Sequence, residues 1–234
     1  MDFLILPGWR LLDKKYSRLT NLLEKKGHRA YVVNFPGFST EKLLQPLTLN
    51  DYVEYVLISI RKQRISRPVI IGHSFGGRVA LRLSRLHPEI PRMLILTGTP
   101  GYRSDSPFKI HVFRFLAKTG KSVLGKLLSG GLLELLTKGL YRLSGNYDYY
   151  RADPILKQTF ENIIHDSLVS DMKRVTAKTL LIWGADDTIT PLWIGEKMKN
   201  TIQNSSLHVI KNADHGVVYK HPDTFIELLD TILK

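Results

Sequence analysis

Ser74 stands within Gly72-His73-Ser74-Phe75-Gly76, with Gly77 directly behind it. The stretch follows the branched aliphatics Val69-Ile70-Ile71 and opens onto "RVALRLSRLHP", a helix-spaced pattern that Pro88 stops. This is the G-x-S-x-G arrangement of a nucleophile elbow, in which small neighbours let the backbone turn sharply and expose the hydroxyl. The helix that follows turns free backbone N–H groups toward any negative charge developing there. A serine hydroxyl is a poor nucleophile until a base takes its proton, and that base needs an acid to orient it. Two later stretches hold those residue types: "LLIWGADDTITP" offers Asp186 and Asp187, and "HVIKNADHGV" offers Asp214 and His215. The chemistry would be acyl transfer through a serine. Glycines at a strand-to-helix turn also serve simple packing, so the elbow acquires meaning only if the fold brings the three groups together.

The elements that must do so are readable from periodicity. Short aliphatic runs alternate with longer amphipathic ones, the pattern of a parallel sheet covered by helices. The strand candidates are Phe3–Leu6, Ala30–Asn34, Val69–Ile71, Met93–Thr97, Thr179–Trp183 and Leu207–Ile210. Helical patterns include "KKYSRLTNLLEKKG", closed by Gly27 as a C-terminal cap, "RVALRLSRLHP", and a last helix in "HPDTFIELLDTILK". In an open parallel sheet the loops at the carboxyl ends of strands share one edge. Ser74, an aspartate and His215 would therefore meet above that edge.

One interval breaks the rhythm. Between 101 and 178 no strand is evident, only apolar helical pieces interrupted by Gly120, Gly125, Gly130, Gly131 and Gly139. That is too long for a loop and is expected to form a helical subdomain over one end of the sheet. Its apolar residues, Phe113 and Leu124 among them, exceed the needs of one exposed helix and are expected to cover the reactive edge and shape an apolar acyl site.

Composition narrows the classes. The 234 residues are 43% apolar, enough for one domain with a sizeable core, and the absence of cysteine excludes disulfides, thiol catalysis and thiolate metal sites. The apolar run Phe3–Leu6 is too short for a signal peptide or a membrane span, so a soluble, cytoplasmic protein is expected. The formal charge of +13 invites a nucleic-acid partner, but lysines and arginines are scattered, with no zinc-finger spacing or RNA-binding signature. Residues 108–142 carry seven Lys or Arg against Glu134 alone; a solvated basic face is preferred there over membrane docking. No cofactor or metal is expected, because the remaining histidines lack partners at metal-ligand spacing.

Taken together, "LILPGW", "FPGFS", "IGHSFGG", "LLIWGADDTITP" and "NADHG" resemble the α/β-hydrolase superfamily, of the small esterase and lipase-like type. The landmarks run in that family's order, serine then acid then histidine, over nearly the whole chain. The resemblance implies an α/β-hydrolase fold with a mainly parallel sheet of about six strands, helices on both faces and a helical cap. The core would be residues 1–100 and 179–234, and the cap 101–178. It implies Ser74 as nucleophile, His215 as general base and Asp187 as orienting acid, preferred to Asp186 because the family's acid usually follows the glycine, here Gly184, by three. It further implies an oxyanion hole from the Trp9 and Phe75 N–H groups, and a small-molecule ester as substrate. Two departures stand out: Pro7 replaces a histidine common before the first-strand glycine, and the chain has no room for the family's amino-terminal hairpin. Trp9, Phe38 and Phe75 could line an acyl pocket or serve as ordinary core, and His73 is read as packing. The same machinery serves thioesterases, carbon–carbon bond hydrolases and acyltransferases, and the fold can also persist as a ligand-sensing receptor.

Overall fold

In the computed structural model, residues 1–39, 42–102 and 154–233 are described. Six strands form a single sheet: β1 (Asp2–Leu6), β2 (Arg29–Val32), β3 (Val69–His73), β4 (Met93–Thr97), β5 (Thr179–Gly184) and β6 (Ser205–Ile210). Their order is β2-β1-β3-β4-β5-β6, and every pairing is parallel. The chain passes from β1 outward to β2, then returns across β1 to β3. The loops after β1 and β3 therefore diverge, the topological switch at which open α/β sheets gather their ligand groups.

Alternation along the strands divides the core into two layers. Leu4, Leu6, Ile70, Leu94, Leu96, Leu181 and Trp183 point to one face. There they meet α2 (Leu49–Lys62), α3 (Phe75–Leu86), α4 (Pro154–His165), α5 (Val169–Arg174) and α6 (Leu192–Thr201). Phe3, Ile5, Val69, Ile71, Ile95, Leu180 and Ile182 point to the other, against α1 (Ser17–Lys25), α7 (Val217–Lys220) and α8 (Pro222–Leu233). Both faces are thus dry, which is why β1, β3 and β4 read as unbroken apolar runs.

Local signals set the helix ends. Gly27 takes φ +75 after α1, and the N–H of His28 bonds the Leu23 carbonyl at 3.2 Å, closing the helix as expected from sequence. A capping box opens α2: the Thr48 N–H donates to Asp51, and the Asp51 N–H returns to the Thr48 hydroxyl.

The helices that precede β5 bury Ile163, Leu168, Met172 and Val175 in the same layer as α2 and α3. A charged knot joins them to α3. Arg82 donates to Asp166 at 2.9 Å, to Asp171 at 3.1 Å and to Asn50 at 2.7 Å. Arg85 also faces Asp171, which is fully buried. Arg78 donates to the carbonyls of Pro100, Ile163 and Asp166. Phe113 and Leu124, expected in the acyl site, lie outside the described residues. Among the described residues, no helix is long and apolar enough to cross a membrane.

Candidate active site

Ser74 is the pivot between β3 and α3. Its backbone takes φ 51 and ψ −113, outside the region comfortable for a residue with a side chain, at a cost of about 1–3 kcal/mol. The surroundings enforce it. The Ser74 N–H donates to the Thr97 carbonyl at 2.9 Å, and its own carbonyl accepts the Gly77 N–H at 3.0 Å. A Cβ on Gly76 would lie 2.0 Å from the Leu6 carbonyl oxygen, so α3 can start this close to β1 only with glycine there. Ser74 itself is partly exposed while its neighbours are buried.

Asp187 and His215, expected as acid and base, come from the loops after β5 and β6. Asp187 is buried, whereas Asp186 beside it is exposed. One Asp187 oxygen accepts the N–H groups of Ile189 and Thr190 at 2.9 and 2.8 Å. The other accepts the Thr190 hydroxyl at 2.7 Å and lies 2.9 Å from His215 Nδ1. A carboxylate accepts only, so Nδ1 carries the proton and His215 Nε2 keeps a lone pair. Burial pushes the Asp187 carboxyl up, but His215 and Thr190 outweigh it and hold the group below its ordinary value. Asp214 turns elsewhere: it accepts the Gly216 N–H and pairs with Lys220.

The end of strand β4 touches both the serine backbone and the histidine ring. Thr97 holds the Ser74 amide, and the next residue, Gly98, packs so tightly on the imidazole that a Cβ there would lie 2.8 Å from His215 Cε1. Gly98 also takes φ +53. The sequence reading did not use this residue; "TGTPG" after an aliphatic run was its available signal. The sequence assigns His73 to packing; it is buried and hydrogen-bonds the His215 carbonyl at 3.1 Å, joining β3 to the loop after β6.

Phe75, next to Ser74 in the chain, belongs to an aromatic wall. Trp9, partly exposed, packs edge-on against Phe38, Phe75 and Phe160 with ring centroids 5.1, 5.4 and 5.1 Å away. Phe38 and Phe75 are buried, with Phe35 and Tyr52 behind them. Phe160 comes from α4 and was not singled out from sequence. The Phe75 N–H, first in α3, has no acceptor within its own helix. A separate groove of about 550 Å³ runs along the open edge of β2, past Lys14, Tyr31, Tyr55 and Lys62, and includes none of these groups.

A switch-point serine on a strained elbow, with a histidine held by a buried aspartate on a neighbouring strand-end loop, is an arrangement suited to hydrolysis on a parallel α/β sheet. A family model described as the alpha/beta hydrolase family matches residues 3–228, and the chain belongs to that family of enzymes. It is 26% identical to a 2-hydroxy-6-oxononadienedioate/2-hydroxy-6-oxononatrienedioate hydrolase of Pseudomonas putida, over 93% of this chain and 80% of that protein. It is also 26% identical to the pimeloyl-[acyl-carrier protein] methyl ester esterase of Pectobacterium atrosepticum, over 97% of this chain and 91% of that one. Among solved structures, an esterase from Exiguobacterium antarcticum shares the fold with a TM-score of 0.75 at 18% identity, covering 99% of this chain and 91% of its own.

Proposed function

We propose that the chain is a serine hydrolase that cleaves carboxylic esters of small to medium apolar acyl groups through an acyl-enzyme. Ser74 Oγ attacks the ester carbonyl while His215 Nε2 takes its proton. The tetrahedral oxyanion is met by the Trp9 and Phe75 N–H groups, and Asp187 stabilises the imidazolium that forms. His215 then gives the proton to the leaving alcohol, and the acyl group stays on Ser74. Water enters, loses a proton to His215, and attacks; the acid departs and Ser74 regains its hydrogen. The observation that carries this reading is the 2.9 Å contact between His215 Nδ1 and a buried Asp187 whose other oxygen is fully occupied by loop amides. The aromatic wall of Trp9, Phe38 and Phe160 supports an apolar acyl site, and residues 101–178 are proposed as the cap that completes it.

Labelling by a fluorophosphonate, lost in Ser74→Ala, tests the nucleophile. A panel of p-nitrophenyl esters of graded chain length tests the acyl site, with short to medium apolar chains expected to be preferred over polar ones. The carbon–carbon bond hydrolase among the relatives supports a second reading with the same three residues. Turnover of a 2-hydroxy-6-oxo-dienoate faster than any ester in the panel would favour it.

A further inference from the structure

His73 is buried immediately before Ser74, and both of its ring nitrogens are engaged. Nε2 lies 3.1 Å from the His215 carbonyl oxygen, and Nδ1 lies 2.9 Å from the Tyr16 hydroxyl. A carbonyl oxygen only accepts, so Nε2 carries the ring proton and Nδ1 is bare. Tyr16 therefore donates to Nδ1, and its oxygen accepts the Gly8 N–H at 2.9 Å. Every proton in the chain has one direction: Gly8 N–H to Tyr16, Tyr16 O–H to His73, His73 Nε2–H to His215. Its two ends are the loop after β1, which carries Trp9, and the loop after β6, which carries His215.

Resting on the serine hydrolase reading, we infer that His73 and Tyr16 are positioning residues that fix the oxyanion loop and the base loop relative to each other across Ser74. Three observations support that role. Gly8 packs on the imidazole so closely that a Cβ would lie 2.8 Å from His73 Nδ1. The Gly8 carbonyl is itself anchored by the Leu11 N–H at 3.0 Å. In a trans peptide that carbonyl and the Trp9 N–H point in opposite directions, so anchoring one aims the other. Finally, burial, and after it the nearby His215, push the His73 pKa down to about 3. The two rings are 5.2 Å apart, and His73 stays neutral while His215 takes up its proton in turnover. A residue that merely filled space would need neither nitrogen.

The test compares Tyr16→Phe, His73→Leu and His73→Gln with the wild type on p-nitrophenyl butyrate, alongside melting temperature and the rate of Ser74 labelling by a fluorophosphonate. The Gln amide can restore the donor to His215, whereas Leu fills volume without one. Tyr16→Phe and His73→Leu are expected to lower kcat about tenfold with KM within about twofold, and labelling should slow in step. His73→Gln is expected to recover most of the lost rate. If His73→Leu does not fold, Tyr16→Phe, which removes only the donor to His73 Nδ1, still decides. Tyr16→Phe or His73→Leu keeping wild-type kcat and only melting earlier overturns the positioning role and leaves the hydrolase reading intact. A wild-type protein that neither cleaves the ester nor is labelled at Ser74 overturns the hydrolase reading, and the positioning role with it.

Discussion

Replacing Asp187 by Asn separates what the acid loop does for the fold from what it does for the base. The Asn carbonyl can still accept the Ile189 and Thr190 amides that Asp187 Oδ1 now holds at 2.9 and 2.8 Å. The amide NH₂ then faces His215 Nδ1 across the 2.9 Å contact, where the carboxylate oxygen was an acceptor. Two donors cannot share that space, so the imidazole must move its proton to Nε2. The nitrogen that should take the Ser74 proton is then occupied, and imidazolium formation loses its counter-charge. The expected loss is about 10⁴-fold in kcat, or about 5.5 kcal/mol of transition-state stabilisation. Stability should change far less. Loss of charge from two retained and two altered hydrogen bonds costs about 2 kcal/mol, or roughly 4–8 °C in melting temperature for a chain of this size. Asp186→Asn, at an exposed side chain, should leave kcat within about twofold. Steady-state hydrolysis of p-nitrophenyl acetate and a thermal melt on both variants suffice. Asp187→Asn retaining a tenth of wild-type kcat, or Asp186→Asn proving worse, would refute the tautomer argument.

Ser74→Ala and His215→Ala should each abolish measurable ester turnover, and the double variant should be little worse than either, because the groups act as a unit; additive losses in kcat would contradict that. Phe160→Ala opens the wall beside Trp9 and should shift the optimum in kcat/KM toward longer acyl chains, which an unchanged profile across the ester panel would rule out. Asp171→Ala leaves Arg82 and Arg85 without their buried partner and should cost about 3–5 kcal/mol, read by urea unfolding; a loss under 1 kcal/mol would show the site rewetting instead. His73, neutral in the fold down to about pH 3, binds a proton in the unfolded chain below about pH 6.5. Stability should therefore rise with pH across that window and be lost as pH falls, by up to about 1.4 kcal/mol per pH unit. His73→Gln should flatten the dependence by one proton, checked by urea unfolding between about pH 4 and 6.

What the sequence makes legible follows from range. β3, β4 and β5 are buried on both faces, so their apolar runs announce them. β6 is an edge strand, and its first residues, Ser205 and Ser206, are polar and half-exposed; the reading therefore starts it two residues late, at Leu207. Ser74, Asp187 and His215 stand at strand ends in a recognisable order; Asp187 is buried and bonded to His215, whereas Asp186 is exposed. The Thr48–Asp51 capping box has a sequence signature of its own, a threonine with an acid three residues on. Other pairings leave no local trace. Tyr16 and His73 are 57 positions apart, and Arg82 and Asp171 are 89, so nothing near any one of them signals its partner. His73 looked like filler because its meaning lies in what its two nitrogens touch.

The charged knot on α3 also determines how the protein comes apart. Pulling α4 and α5 away from the sheet as a body would strip Arg78 and Arg82 of carbonyl and carboxylate partners they cannot replace from buried surroundings, at several kcal/mol. Residues 154–178 and α3 are therefore expected to open as one cooperative unit. Their amides should exchange hydrogen with solvent at the same slow, global rate as those of β3, whereas the termini fray independently. Breathing motions that open only the far side of the molecule would leave the elbow's strained geometry intact until the whole chain unfolds.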